Sequence, residues 1–198
     1  MLEEEYLARH RPLEAQRNLP PLEVPFVYEI RDAVEADLPD VREIYNHYVA
    51  NSTVTFDETP MTLRAWRTKF AHVRKVNMPF LVAQSPSGQI LGFAYVYPWK
   101  EKAAYRFTVE DSIYLGAAST GKGLGKVLME ALIEASREAG IKEIIAVIAD
   151  KGADASIAMH RNFGFKEIGH MGKVGYKFDR WLGTVLMQKS LKGSNSRK

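Results

Sequence analysis

The sequence predicts an α/β fold built on one mixed, mostly antiparallel sheet with helices on both faces. Two observations carry this. Short apolar or alternating runs of strand length cluster in the first half, and a strand–helix–strand unit follows them, so antiparallel neighbours precede one parallel crossover. The chain has 198 residues, 46% hydrophobic and 26% charged, which is the profile of one globular domain with a sizeable core. Read in order, the elements are β-α-α-β-β-β-α-β-α-β-β.

Phe26 to Ala33 reads as the first strand. Asp37 is placed to cap a helix reaching about Ala50, because Leu38, Val41, Ile44, Tyr45, Tyr48 and Val49 recur on one face at helical spacing. Thr62 is a second cap and opens a short helix carrying Trp66 and Phe70. Three strands follow: Phe80 to Gln84, Ile90 to Tyr97 and Tyr105 to Leu115. Pro86, Ser87 and Gly88 supply the turn between the first two, which makes them an antiparallel hairpin. A glycine-rich loop at 121–125 opens a helix from Lys126 to Ala139, closed by Gly140. The β-branched run Ile144 to Ala149 reads as a buried strand, and Ala155 to Asn162 as a short helix ended by Gly164. Strands around Phe165 to His170 and Thr184 to Lys189 complete the sheet.

These elements occupy residues 26–191. Residues 1–25 read as a partly disordered extension: Ala8 to Arg17 suits a short helix, and Pro12, Pro20, Pro21 and Pro25 stop anything longer. The polar tail, 192–198, is expected to fray.

Composition narrows the function. No apolar run reaches about 18 residues, so no membrane span is expected. The first thirty residues hold Glu3, Glu4 and Glu5 and no apolar block of signal-peptide length, which points to a cytoplasmic protein. Zero cysteine excludes a disulfide framework, a thiolate zinc site and a cysteine nucleophile. His10, His47, His72 and His170 form no metal-ligand spacing, so no metal is expected. The formal net charge is +3 and the isoelectric point about 9.0. The basic cluster Lys189, Lys192, Arg197 and Lys198 lacks interleaved aromatics and reads as a solvated chain end, so no nucleic-acid partner is expected.

Gly116-Ala117-Ala118-Ser119-Thr120-Gly121-Lys122-Gly123-Leu124-Gly125 lies between a strand and a helix, where backbone N–H groups and the helix dipole suit an anion. Gly116, Gly121 and Lys122 match the spacing of a P-loop, but Gly123 stands where that loop needs a hydroxyl for magnesium. A dinucleotide loop needs glycine at 126, which is Lys126. A plain turn has little use for three glycines in five residues, given their entropic cost. A pyrophosphate cradle accounts for them better.

The loop Thr120-Gly121-Lys122-Gly123-Leu124-Gly125 resembles the coenzyme-A loop of the GNAT acetyltransferase superfamily. Further blocks are similar to its phosphinothricin and methionine sulfoximine acetyltransferase branch: Ile44-Tyr45-Asn46 with Ser52-Thr53-Val54-Thr55-Phe56, Thr108 to Leu115, Ser156-Ile157-Ala158-Met159-His160 with Gly164-Phe165, and Gly175 to Leu182. Together they span roughly residues 28–191.

The resemblance implies a GNAT-like fold and an acetyl-CoA-dependent N-acetyltransferase acting on the α-amine of a small amino acid or analogue of the methionine sulfoximine or phosphinothricin type. It makes Glu110 the general base that deprotonates the amine, a step worth about 10²–10⁴ in rate. A carboxylate mid-strand is otherwise expected only at a solvent-facing edge. It puts His160 near the departing sulfur, as a proton donor or the organiser of a water; the alternative is a helix histidine bonded to a backbone carbonyl. The acetyl-pantetheine arm is expected to pair with the backbone of Ile113, Tyr114 and Leu115. The amides from Gly121 through Lys122, Gly123, Leu124 and Gly125 to Lys126 would hold the pyrophosphate, with charge from Lys122 or Lys126. For the amine substrate, the resemblance names Phe56 as an apolar wall, Trp99 and Lys102 as part of a covering loop, and Tyr114 nearby. Phe56 and Trp99 are equally readable as core, and Lys102 as a solvated lysine.

Three positions depart from the branch: Thr120 where Gln or Arg is usual, Ala153 where Asn is usual, and Lys102 where Arg is frequent. Lysine offers a point charge rather than a two-donor fork. The competing functions are a coenzyme-binding module without catalysis and an acetyltransferase for a protein amine or polyamine. A homodimer is expected from the resemblance, with Tyr176 to Leu182 as its contact segment.

Overall fold

The structure is a computed structural model and describes residues 26–191. The expected helix at Ala8 to Arg17 and the tail at 192–198 lie outside the described residues. Within them the chain runs β1 (Glu29–Asp32), α1 (Leu38–Asn51), α2 (Leu63–Lys75), β2 (Phe80–Gln84), β3 (Ile90–Pro98), β4 (Thr108–Leu115), α3 (Leu124–Glu138), β5 (Glu143–Ala149), α4 (Asp154–Asn162), β6 (Lys166–Lys177) and β7 (Arg180–Ser190). Seven strands form one sheet in the order β1-β2-β3-β4-β5-β7-β6. Every neighbouring pair is antiparallel except β4–β5, the parallel pair joined through α3. The expected element order and the mixed, mostly antiparallel sheet are both present.

Local chemistry explains most boundaries. Thr62 caps α2 by accepting from the Ala65 amide at 3.1 Å. Asp37 does not cap α1 as expected. Pro39 removes one amide from the first turn, and the Asp37 carboxylate instead accepts from the Val34 amide at 2.8 Å and from both terminal nitrogens of Arg31 at 2.8 Å. The strand expected to start at Tyr105 begins at Thr108, because Ala103–Tyr105 is a short 3-10 turn. The last two strands are longer than expected; along β6 nearly every residue faces solvent, which hides the alternation that would have marked it.

The core lies between the sheet and its helices. Trp66 of α2 is fully buried and meets Phe80, Phe93, Tyr95 and Tyr45 edge-on. Leu124, Leu128, Met129 and Leu132 of α3 are fully buried in the same core. Burying side chains of this size contributes about 1.5–3 kcal/mol each.

Candidate active site

Pairing between the parallel strands β4 and β5 stops at Glu110↔Ile145, although β4 continues to Leu115 and β5 to Ala149. Past that point the strands part, and a cavity of about 650 Å³ lies between them, lined by Glu110 to Leu115 on one side and Ala146 to Ala149 on the other. A strand edge opened inside a sheet presents unpaired backbone groups, which is what an extended ligand needs to add itself as a strand. Ile113, Tyr114 and Leu115 all line this cavity. The Leu115 carbonyl also accepts from the Tyr48 hydroxyl at 2.8 Å.

Strand alternation divides the site between two faces. Glu110, Ser112 and Tyr114 share one face with their β3 partners Tyr97, Tyr95 and Phe93, and α1 and α2 cover it, as the edge contacts of Tyr45 with Tyr114 and of Trp66 with Phe93 show. Asp111 points to the opposite face and meets His160 of α4. Because the strands part, side chains of both faces reach the same cavity.

Glu110 is half-buried in the cavity wall. Burial raises its pKa above the usual 4.5 and the charge of Asp111 raises it further, against the pull of Lys100 and Lys69. A raised pKa makes this carboxylate a stronger base than an ordinary glutamate. His160 is buried, with both ring nitrogens engaged: Nδ1–H donates to the Ser156 carbonyl at 2.8 Å, and Nε2 lies 2.8 Å from Asp111 Oδ2. Burial alone would lower its pKa; the Asp111 hydrogen bond and charge, together with the Ser156 carbonyl, overcome this and hold it above 6.5. The carbonyl bond is the one that the structural reading of this histidine expects. Asp111 Oδ1 is buried without a hydrogen-bond partner.

The glycine loop borders the same cavity through Thr120, Gly121 and Gly125. Gly121 and Gly123 have φ of 73° and 81°, and a Cβ added at either would meet nothing within 4 Å beyond its chain neighbours. The loop is therefore open on its outer side, with backbone free to approach a phosphate. Gly123 sits at the N-cap of α3 and supplies no side-chain cap, so the helix's first amides have no side-chain acceptor from that position. One expected donor is spent: the Lys126 amide donates to the Gly123 carbonyl at 3.0 Å. Leu124 offers backbone only, because its side chain is core. Lys122 and Lys126 are exposed and do not line the cavity; the Lys122 ammonium stands 4.8 Å over the Phe26 ring. Of the unusual positions, Thr120 turns its hydroxyl to the Ala117 carbonyl at 3.0 Å, and Ala153 is a buried part of the wall.

Phe56 lines the cavity, packed so closely on β6 that any side chain at Gly175 would overlap its ring. Trp99 and Lys102 do not line the cavity. Lys102 is exposed ahead of the 3-10 turn, and Trp99 carries the Lys100 ammonium over its ring at 4.5 Å.

Four residues of the site escape the sequence reading. Asp111 passes there as a mere neighbour of Glu110. Lys69 enters the cavity from α2; its position one turn after Trp66, on the inward face, is the signal that could have found it. Asp57 lines the cavity and accepts from the Tyr45 hydroxyl at 2.5 Å. Lys177 is buried on β6 and donates to the Ser52 and Thr55 carbonyls at 2.8 and 2.9 Å, which ties the segment carrying Phe56 and Asp57 to the sheet.

Comparison with known proteins places this geometry. The model of the acetyltransferase (GNAT) domain family matches residues 30–186. The L-methionine sulfoximine/L-methionine sulfone acetyltransferase of Pseudomonas paraeruginosa is 41% identical over 167 residues, 84% of this chain and 96% of that protein. The crystal structure of a GNAT superfamily phosphinothricin acetyltransferase from Sinorhizobium meliloti in complex with AcCoA superposes with a TM-score of 0.80 at 40% identity, covering 86% of this chain and 92% of that one. A ribosomal-protein-alanine N-acetyltransferase from Brucella melitensis gives 0.78 at 38% identity, over 82% of this chain and 99% of the other. With a family model over most of its length and relatives of this similarity, the chain belongs to the GNAT acetyltransferase family and is an N-acetyltransferase.

Proposed function

We propose that the enzyme transfers the acetyl group of acetyl-CoA to the α-amine of a small amino acid or amino-acid analogue of the methionine sulfoximine or phosphinothricin type. The observation that carries the reading is a carboxylate of raised pKa, Glu110, in a cavity bounded by an opened strand edge and an open glycine loop. The loop amides from Gly121 to Gly125 suit the pyrophosphate, and β4 from Ile113 to Leu115 suits the pantetheine arm. Glu110 takes one proton from the substrate ammonium, directly or through a water. The free amine attacks the thioester carbonyl carbon, the C–N bond forms and the C–S bond breaks. As the amide forms, the second nitrogen proton passes to the departing thiolate, directly or through a water, and gives the thiol. His160 is a positioning residue in this scheme: with its nitrogens on Ser156 and Asp111, it braces the strand that carries Glu110. Phe56 and Tyr114 form the acceptor wall.

A thiol-release assay with acetyl-CoA tests the proposal, using methionine sulfoximine, methionine sulfone, phosphinothricin, common amino acids, a polyamine and a short peptide. Turnover is expected with the amino-acid analogues. Turnover confined to the peptide would move the enzyme to a protein amine, in keeping with the name of the Brucella relative, a ribosomal-protein-alanine N-acetyltransferase. Acetyl-CoA raising the melting temperature without turnover of any amine would leave a binding module.

The reading includes a cytoplasmic homodimer. Tyr176, Phe178 and Trp181 at the β6–β7 turn are about half exposed, as are Ile168 and Val174 along the edge strand β6, and apolar side chains grouped like this support a contact between copies.

A further inference from the structure

Among the described residues, Lys69 is the one lysine or arginine that lines the cavity. Its ammonium donates to the Tyr95 hydroxyl at 3.2 Å and lies 5.4, 5.3 and 5.7 Å from the ring centroids of Trp66, Tyr95 and Tyr97. No carboxylate of the described residues lies within ion-pair distance of it. An ammonium has three donors, so two remain for a ligand. Three aromatic faces hold the charge in place and keep water off part of it, which strengthens its interaction with an incoming anion.

The position fits one chemistry. Lys69 overhangs the face that carries Tyr95, Tyr97 and Glu110, and its charge is felt at Glu110. A zwitterion entering this end of the cavity meets a carboxylate for its ammonium and an ammonium for its carboxylate, on the same face of the sheet. Lys69 also borders a shallower cavity of about 490 Å³ lined by Thr62, Arg64, Thr68, His72 and Tyr97, so the anion end opens towards further basic and polar groups. Lys102, to which the resemblance gave this task, lines neither cavity.

We propose that Lys69 binds the carboxylate of the acceptor and selects amines bearing an adjacent acid; this rests on the amino-acid reading of the site. The same charge disfavours polyamines, whose second ammonium it repels.

The test compares wild type with Lys69→Met, which keeps the aliphatic stem over the rings, and Lys69→Arg, which keeps the charge. Each enzyme is assayed with methionine sulfone and with its carboxamide, and methionine sulfone binding is measured by calorimetry. Losing a charge-assisted hydrogen bond is expected to raise KM for methionine sulfone about 10- to 100-fold in K69M. Calorimetric affinity should fall in parallel, kcat should change little, and K69R should recover most of the loss. KM for the carboxamide should move little. An unchanged KM for the sulfone, or equal losses for sulfone and carboxamide, overturns the assignment while the amino-acid reading stands. A wild-type enzyme that prefers the carboxamide or a polyamine overturns both. Should K69M fail to fold, Lys69→Gln, which also removes the charge, takes its place: an unchanged sulfone-over-carboxamide preference in K69Q overturns the assignment, and a lost preference that K69R retains supports it.

Discussion

At Glu110 a single side chain carries both a catalytic prediction and a stability prediction. Replacing it with Gln removes the base and should lower turnover at neutral pH by at least about tenfold. The wild-type rate should also fall as the pH drops through the raised Glu110 pKa. Stability runs the other way. The folded-state pKa lies above the ordinary 4.5, so the protonated carboxyl is the form the fold favours. Its contribution is complete below 4.5 and is lost as pH rises through the folded value. The carboxamide of E110Q cannot ionise, so this variant should melt at or above wild type at pH 7 to 8, and the difference should close below pH 4.5. Calorimetric melts across that range check the sign; a variant less stable at pH 8 than at pH 4 relative to wild type would contradict it. Side chains near Glu110 also show what sequence reading missed. Asp111 sits beside it in the chain, yet alternation sends it to the other face and into a buried pair with His160.

At the scale of elements, the loop before α3 separates backbone strain from ligand approach. Gly121 and Gly123 both have positive φ, and an added Cβ at either touches no protein atom. Alanine at each position should cost about 1–2 kcal/mol in stability, through the left-handed backbone alone. Of these two, Gly121 alone lines the cavity. G121A should therefore raise the KM for acetyl-CoA well beyond any rise in G123A, while the two variants melt alike. A wild-type KM for acetyl-CoA in both variants would move the pyrophosphate away from this loop. The loop, the α3 helix it opens and the Thr62 cap were all legible in the sequence, because glycine conformation and capping are local chemistry. The failed cap at Asp37 was not. Its carboxylate goes to Arg31 of β1, a partner that only packing brings near.

For the whole molecule, the β6–β7 end raises the question of assembly. Tyr176 and Trp181 pack on each other edge-on at 5.3 Å and are each more than half exposed. The enzyme should sediment as a dimer at micromolar concentration, and the double variant Tyr176→Lys, Trp181→Lys should shift it to monomer without lowering the melting temperature of the remaining fold by more than a few degrees. A wild type that sediments as a monomer would remove the homodimer from the proposal.

Periodicity, caps, turn residues and the glycine loop are written along the chain, so the sequence by itself determined the element order, the mixed sheet and the family resemblance, and it singled out Glu110, Phe56 and the loop as candidates. Each depends on neighbours within a few residues or on a motif of fixed spacing. The tertiary structure decided what depends on distant partners. The parting of β4 and β5 turns a strand into a cavity wall, and β4 alternation puts Glu110 and Asp111 on opposite faces. The packing of α2 on the sheet brings Lys69 of the second helix to the cavity and leaves Lys102 in solvent. Charge in a sequence has no address until a fold sets which side of an element is inward, and that is why the chain alone does not say which lysine faces the cavity.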